Sequence, residues 1–493
     1  MSSGFRATTL WRLFAAGSSV LTALITFHLY DQYLGRAGLF GLIQTAVTVV
    51  ALLPQFDGGF RLAINRRLLL GRNPIDRRNL VDFAQVFYSW MALFAGLLGM
   101  LVLTGYSWNQ NARNAGVPWS FYLTLGSLGG WVVLNTAQSQ LLVGLGRQRQ
   151  LFILNVIAAW LNLGILWLAF RQGQTAWAFP LAQGFSLAVP TLIAWWLARL
   201  DLPGLRLLTF VLPPGFWPRF QGLRSEAAPA FVCQLVMLFL YGSDVVLAAF
   251  LISPRGFDEI SLAARLFAIL RLSLQSADEA IWPRLAAGAE GAQRTSADLV
   301  RVNALVYGAV MAAAGVTLPV FAKLYFHEIQ ISPVVLWLFT GRYLISGLAS
   351  QPAYYLFGHG RFGEIARHIG LEWAVAMVLS VVLAPRFGAA GIAGAFALAT
   401  LVGVAVPLPW AYTEAAGLRP ITHFVGVWWR AGITAVLAAG LAYLGLQWAT
   451  TWPTVIGAGA VAALATLGVL VGIAWIRATR HGTVDVRTLL SLL

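Results

Sequence analysis

Apolar runs long enough to cross a membrane recur along the whole chain, separated by polar segments with turn residues such as those at 71–74 and 253–256. A spanning helix needs about 20 mostly apolar residues. Helices are expected because lipid offers no hydrogen-bond partner for an unpaired backbone group. We therefore predict fourteen spans, at approximately 8–30, 37–60, 83–105, 118–143, 150–170, 175–197, 226–250, 257–283, 301–322, 331–357, 365–384, 388–412, 424–446 and 453–476.

The composition agrees with this pattern, because 59% of the 493 residues are hydrophobic and only 10% are charged. A soluble domain carries about 25% charged residues, so this chain has too little charge to cover a water-facing surface. Its single cysteine, Cys233, excludes a disulfide-stabilised scaffold. No small-residue cleavage site follows the first apolar run, so we expect no removable signal peptide. The composition predicts an all-α integral membrane protein.

The charge balance is basic, with 33 Lys and Arg against 18 Asp and Glu, and Lys323 is the only lysine. Sorted by the predicted loops, 23 of the basic residues fall on one side, six on the other and four inside spans. Cytoplasmic loops collect basic residues. We therefore expect both termini in the cytoplasm, an arrangement that requires an even number of spans, and no nucleic-acid partner.

An internal repeat relates the two halves of the chain. Gly144-Leu-Gly-Arg147 matches Gly358-His-Gly-Arg361, and each follows an apolar span and precedes two more. Six spans per repeat preserve the orientation, so we predict two six-helix lobes related by a pseudo-two-fold axis along the membrane normal. The predicted divisions are an amino-terminal lobe at 1–200, a cytoplasmic linker at 201–225, a carboxy-terminal lobe at 226–413, two further spans within 424–476 and a cytoplasmic tail at 477–493.

Polar residues inside the predicted spans are the candidates for function, because a charge at the bilayer centre costs about 2.5–3.5 kcal/mol. Arg271, Gln275 and Asp278 follow i, i+4, i+7 spacing and so share one helix face. The candidates for binding an anionic substrate in a cavity are Arg265, Arg271, Arg342 and Arg12. The candidates for further cavity contacts or coupling are Asp244, Gln275, Asp278, Glu372, Gln234, Tyr241, Ser346, Asn135 and Gln138.

Each of these candidates has a structural alternative. Arg265 or Arg271 could neutralise Asp244, Asp278 or Glu279 in a static ion pair, and Arg12 could extend to the membrane boundary. Glu372 could carry a coupling proton or pair with an arginine of the tenth span. We find no phosphate-binding loop and no metal-spaced His or Cys set, and the outward loops are short. We therefore expect neither enzymatic activity nor a cofactor or metal ion.

Local motifs resemble one known family. The run Tyr33-Leu-Gly-Arg-Ala-Gly-Leu-Phe-Gly-Leu42 and the run Leu53-Pro-Gln-Phe-Asp-Gly-Gly-Phe60 are similar to the first two spans of the oligosaccharide-lipid flippases. These are polysaccharide transporters of the multidrug/oligosaccharidyl-lipid/polysaccharide exporter superfamily. Tyr241-Gly-Ser-Asp244 and the following Gly256-Phe-Asp-Glu-Ile260 resemble that family's seventh and eighth spans.

The resemblance implies a flippase of the bacterial inner membrane that carries an undecaprenyl-diphosphate-linked oligosaccharide to the periplasmic leaflet by alternating access, for O-antigen, capsule or exopolysaccharide synthesis. Cationic side chains in its cavity would meet the diphosphate. The implied partners are this lipid-linked substrate, membrane lipids and polysaccharide-assembly proteins, and we expect a monomer. Lipid II flippases, cation-coupled multidrug exporters of the same superfamily and, in a different class, membrane glycosyltransferases or polymerases are the alternatives.

Overall fold

The computed structural model describes most of the chain, and the described part is helical, without strands. It divides into two compact units, Met1–Leu238 and Phe239–Leu493. The residues that the structure describes are 3–35, 43, 49–50, 53, 57–70, 74–108, 117–174, 176–278 and 292–480. Most of the predicted second span, 37–60, therefore lies outside the described residues.

The first unit is built from six complete helices and the first part of a seventh. They are α1 (Ser3–Tyr30), α2 (Phe60–Leu70), α3 (Pro74–Tyr106), α4 (Trp119–Gly144), α5 (Gln148–Arg171), α6 (Ala178–Asp201) and α7 (Phe216–Leu251). A short π-helix, Asp31–Gly35, follows α1. Helix α7 continues across the boundary into the second unit.

The second unit contains the remainder of α7 and eight further helices within the described ranges. They are α8 (Pro254–Asp278), α9 (Ala292–Tyr325), α10 (Pro333–Leu348), α11 (Ser350–Gly358), α12 (Phe362–Thr400), α13 (Pro407–Ala416), α14 (Pro420–Leu446) and α15 (Trp452–Arg480). A π-helix, Leu401–Ala405, joins α12 to α13. Buried alanines of α9, α14 and α15 pack together, so the last two helices belong to this unit's core.

Seven helices in the described part are long and apolar enough to cross a membrane, and eight when α7 is counted. The chain is therefore an all-helical, multi-pass membrane protein, while the predicted number of fourteen spans stays a prediction. One helical run, Phe362–Ala416, covers two predicted spans. It turns at Gly388, whose φ of 55° is available to glycine, at the point where the sequence predicted the break. The predicted span 331–357 is instead two helices, α10 and α11.

Helices α3 and α4 approach each other closely through glycines. A Cβ atom added at Gly99 would lie 2.4 Å from the carbonyl oxygen of Gly126, and one at Gly126 would lie 2.4 Å from the backbone nitrogen of Met100. Such contacts are shorter than any side chain tolerates. Small residues at helix crossings are typical of packing in lipid, where close van der Waals contact stabilises helix pairs.

Helix α7 begins ten residues before the predicted span, inside the segment predicted as a linker. Phe216, Phe220, Leu223 and Ala227 follow i, i+4, i+7, i+11 spacing and form one apolar face. The ring of Phe220 stacks on Phe60 of α2 with centroids 4.9 Å apart. Phe216, Leu223 and Ala227 belong to the buried core of the first unit. This aromatic packing extends the helix, because it buries a face that the search for continuous apolar runs does not detect.

The segment between α6 and α7 is fixed along one face of α3. Arg78 donates to the carbonyl of Pro203 at 3.1 Å, and Gln85 donates to the carbonyl of Arg206. The hydroxyl oxygen of Ser89 accepts a hydrogen bond from the backbone nitrogen of Thr209 at 3.0 Å. These α3 positions follow i, i+7, i+11 spacing, so part of the predicted linker is held against the helix bundle.

The two Gly-Arg turns of the predicted repeat have the same backbone conformation. Gly146 and Gly360 have φ values of 78° and 74°. The next residue donates from its backbone nitrogen to a carbonyl five residues earlier, at 2.8 Å for Arg147 and 2.9 Å for Arg361. Both are Schellman-type helix ends that require a glycine in the left-handed region. The lobe symmetry that the repeat predicts stays a prediction.

The arginines of the two turns have different partners. Arg147 forms a bidentate pair with Asp201 at the end of α6, with both nitrogen–oxygen distances at 2.6 Å. These hydrogen bonds raise the pKa of Arg147. Arg361 instead pairs within its own helix, with Glu364. The ion pair of Arg147 therefore connects the first turn to a neighbouring helix, whereas the ion pair of Arg361 lies within a single helix.

Candidate functional site

A buried ion pair lies in the second unit. Nη1 of Arg342, on α10, donates to Oδ2 of Asp244, on α7, at 2.8 Å, and the two side chains are only 3% and 2% exposed. Nη2 of Arg342 also donates to the carbonyl oxygen of Leu240 at 3.4 Å. The other oxygen of Asp244 accepts from the backbone nitrogen of Val245 at 2.8 Å. Both charges are thus compensated inside an apolar unit, as buried charges require.

Aromatic rings surround the guanidinium of Arg342. Its Cζ lies 4.5 Å from the ring centroid of Phe396, 5.5 Å from that of Tyr343 and 6.0 Å from that of Phe339. The Tyr343 ring stacks in turn on Phe267 of α8, with centroids 5.5 Å apart and planes at 6°. A cation held over such faces gains about 2 kcal/mol when it is desolvated. Rings of α10 and α12 therefore surround the arginine directly, and Phe267 of α8 supports one of these rings.

A second buried carboxylate lies beside the pair. Glu372 of α12 is 3% exposed and interacts electrostatically with Arg342. Its Oε1 accepts from Oγ1 of Thr400 at 2.5 Å, and the same hydroxyl lies 2.8 Å from the carbonyl of Phe396. We call Asp244, Arg342, Glu372 and Thr400 the buried charge cluster.

The backbone after Thr400 completes this cluster. The π-helix Leu401–Ala405 begins at the next residue, and a Cβ added at Gly403 would lie 2.6 Å from Cβ of Glu372. The π-helix backbone therefore lies directly against the glutamate. Single-turn π-helices are frequent at functional sites, and here one adjoins the buried Glu372.

Arg271 is the predicted cationic residue that lies near the cluster without belonging to it. Its Cζ lies 5.9 Å from the ring centroid of Tyr343, the ring that also contacts Arg342. Arg265, one and a half turns earlier on α8, is half-buried, and so is Ser346 of α10. Tyr343 therefore brings two of the three predicted arginines of the second unit to one ring.

The remaining predicted residues are divided between the two units. Asn135 accepts from Oγ1 of Thr191 at 3.2 Å and so joins α4 to α6. Gln138 and Gln234 are buried in the first unit, and neither Oε1 atom has a hydrogen-bond partner in the described part of the chain. The side chains of four candidates lie outside the described residues: Arg12, Tyr241, Gln275 and Asp278.

The structure selects between the pairings that the sequence left open. Asp244 pairs with Arg342, whereas the sequence offered Arg265 and Arg271. Glu372, the partner suggested for Arg342, interacts with it electrostatically but is hydrogen-bonded to Thr400. Thr400 and Phe396 were not among the predicted site residues, because single threonines and phenylalanines are common in apolar helices. Within the described ranges, no three His, Cys, Asp or Glu side chains are grouped as a metal site.

Comparisons with known proteins relate the chain by fold. No family model matches the sequence, and no curated protein matches it. Among solved structures, the lipid II flippase MurJ in an inward closed conformation matches with a TM-score of 0.66 and 11% identity, over 94% of this chain and 98% of that one. The eukaryotic MATE transporter AtDTX14 matches with a TM-score of 0.58 and 16% identity, over 87% and 100%.

A third solved structure is a MOP superfamily transporter from Pyrococcus furiosus, with a TM-score of 0.56 and 13% identity over 88% of this chain and 99% of that one. All three similarities cover nearly the whole of both chains. The chain therefore has the fold shared by MurJ and the MATE transporters of the MOP superfamily.

Proposed function

We propose that this protein is a flippase that moves an undecaprenyl-diphosphate-linked oligosaccharide from the cytoplasmic to the periplasmic leaflet of a bacterial inner membrane. Its product would enter the synthesis of a surface polysaccharide. The observation that carries the proposal is the position of Arg271 and Arg342 at one aromatic ring inside an apolar unit. Support for transport by alternating access comes from the fold shared with flippases and exporters.

Arginine suits this cargo for chemical reasons. Its planar guanidinium presents a fork of donors that matches phosphate oxygens, and it keeps its charge in any environment. In the observed state Arg342 is already neutralised by Asp244. Because Arg271 lies at the same aromatic ring, we assign first contact with the diphosphate to Arg271, assisted by Arg265, and assign to Arg342 the role of holding Tyr343 and the surrounding helices in place.

Glu372 is the proposed carrier of a coupling proton. Oγ1 of Thr400 lies within hydrogen-bond distance of both Glu372 and the carbonyl of Phe396. One hydroxyl has one proton and a carbonyl can only accept. When Glu372 takes up a proton, it can donate that proton to Oγ1 of Thr400, whose own proton then goes to the carbonyl of Phe396. A protonated Glu372 also leaves the Arg342–Asp244 pair electrically balanced.

Two other cargoes are weighed against this one. Lipid II is the second candidate, because the flippase with the matching fold is named for that lipid; it shares the same diphosphate chemistry. A cationic drug would need a carboxylate to bind it, and the buried Asp244 is already paired with an arginine. A polymerase or glycosyltransferase is disfavoured because the predicted outward loops are short.

The cytoplasmic location of both termini is proposed from the arginine distribution.

Replacement of Arg271 by alanine tests the proposal. The purified variant is reconstituted in liposomes with a fluorescent undecaprenyl-diphosphate-linked sugar, and the label exposed on each leaflet is measured by quenching. Charged hydrogen bonds contribute about 1.5–3 kcal/mol, so the flipping rate should fall about tenfold to a hundredfold. Arg171→Ala is the matched control, since Arg171 also lies over a ring, that of Trp167 at 4.3 Å, but at the end of α5. Equal rates in both variants would contradict the proposal.

A further inference from the structure

A cleft in the first unit lies between α2, α3 and α4, near the helix ends that carry the predicted cytoplasmic arginines. Its volume is about 30 Å³, which is room for one or two water-sized groups. Its walls are mostly aliphatic. The polar side chains that line it are Arg61, Gln85, Tyr88, Gln138 and Gln140.

Gln138 gives this cleft an unsatisfied acceptor. The side chain is 5% exposed, and its Oε1 has no hydrogen-bond partner among the residues that the structure describes. A buried carbonyl oxygen without a donor costs free energy, and most such groups in proteins are paired. The terminal amide torsion of glutamine is soft, so rotation of the amide can direct this oxygen to a ligand. The ligand must supply a donor.

The charges near the cleft are already matched to each other. Asp57 lies behind Tyr88 and accepts from the backbone nitrogens of Gly59 and Arg61, at 3.0 and 3.1 Å, and from the Tyr88 hydroxyl at 3.4 Å. The guanidinium of Arg61, in the first turn of α2, carries the charge opposite to that of Asp57. A cation would meet the guanidinium of Arg61 with no carboxylate in the described lining to balance it, whereas an anion would meet Oε1 of Gln138. The environment therefore favours a neutral group that both donates and accepts.

The rim of the cleft is fixed before any ligand arrives. Leu207 contributes to the lining, and Arg206 before it and Thr209 two positions after it are hydrogen-bonded to α3. Gln85 donates to the carbonyl of Arg206, and Ser89 accepts from the nitrogen of Thr209. The cleft is preformed and mostly apolar with a few placed polar groups, as small-molecule sites are, but its volume admits only a small arm of a ligand.

From these observations we infer that the cleft binds a hydroxyl-bearing arm of a sugar. A hydroxyl donates to Gln138 Oε1 and accepts from Arg61 or a neighbouring carboxamide, while the aliphatic walls and the Tyr88 ring contact the carbon atoms of the sugar. The inference deepens the proposed function and rests on it: the cleft would recognise the carbohydrate that distinguishes one lipid-linked cargo from another.

The test compares two lipids on the purified, full-length protein in nanodiscs. One probe is undecaprenyl diphosphate, and the other is undecaprenyl diphosphate carrying one N-acetylhexosamine; binding is followed by tryptophan fluorescence. The wild-type protein should bind the sugar-bearing lipid about tenfold more tightly than the bare diphosphate, a difference of about 1.4 kcal/mol. Gln138→Met should remove that preference and leave the affinity for the bare diphosphate unchanged. Gln183→Leu, on α6 and away from the cleft, is the matched control and should keep the preference.

The outcomes separate the two proposals. If the wild-type protein binds neither lipid, the proposed function fails. If it binds both lipids equally, or if Gln138→Met keeps the preference, the cleft holds only water and this inference is overturned. Because the substitution removes an unsatisfied buried acceptor, its unfolding temperature without lipid should not fall. Gln138→Leu, measured in the same way, gives the result if Gln138→Met does not accumulate.

Discussion

Removal of one member of the Arg342–Asp244 pair should destabilise the second unit strongly. Loss of one partner from a buried ion pair costs about 3–5 kcal/mol, because the other charge stays buried without compensation. The two single variants should differ in a way that the structure specifies. Asp244→Ala leaves Arg342 beside Glu372, which can compensate it, so we expect about 3 kcal/mol.

Arg342→Ala should be the more harmful change. It leaves Asp244 and Glu372 buried without their shared cation, and it removes the guanidinium from the rings of Phe396 and Tyr343. We therefore expect a loss of about 5 kcal/mol. A domain of roughly this size shifts its melting temperature by about 2–4 °C per kcal/mol. The loss then corresponds to about 10–20 °C for Arg342→Ala and about 6–12 °C for Asp244→Ala.

The double variant Asp244→Ala with Arg342→Met is the decisive measurement. Apolar replacement of both members of a buried pair is often nearly neutral, so the double variant should be more stable than either single variant. Thermal unfolding in detergent, followed by fluorescence-detected size-exclusion chromatography, gives the three temperatures. If the loss of stability in the double variant equals the sum of the losses in the two single variants, the two side chains do not interact. The ion pair at the centre of the buried charge cluster would then be refuted.

Two further predictions concern the first unit. Gly99→Ala places a Cβ against the carbonyl of Gly126 and should lower the free energy of unfolding by about 1–3 kcal/mol, because it forces α3 and α4 apart. The control is Gly164→Ala, at a glycine with open space around it, which should leave the unfolding temperature nearly unchanged. Equal effects of the two substitutions would contradict the close approach of the helices. Arg147→Lys keeps the charge but loses the bidentate contact with Asp201, so it should lower stability by about 0.5–1 kcal/mol. An unchanged unfolding temperature in low salt would contradict that geometry.

Several features of the fold follow from local rules, and so the sequence could predict them. Helical, membrane-spanning character follows from hydropathy alone, and the break between the spans around 144–147 follows from the glycines that interrupt the apolar run there. The position of Arg342 inside a helix also follows, because a charged residue within a long apolar run can be recognised from the sequence alone. The break near Gly388 also follows from the sequence, because proline and glycine interrupt the apolar run there.

The pairing inside the cluster could not be predicted in this way. Asp244 and Arg342 are 98 positions apart, and the sequence offers Arg265 and Arg271 as equally plausible partners. Helix packing makes the choice, and packing depends on the shapes of side chains such as Phe396 that carry no chemical signal. Thr400 acquires its role only because the chain folds back beyond Gly388 and brings it to Glu372.

The start of α7 at Phe216 has a consequence for how the protein is made. The first unit's core includes Phe216, Leu223 and Ala227, which are synthesised after all six preceding helices. A nascent chain that ends at Asp201 therefore lacks part of the surface that closes this core. Completion of the first unit must wait until about the first three turns of α7 have left the ribosome. A cut through the segment before α7 would divide a single core, so the chain does not separate there into independently folding halves.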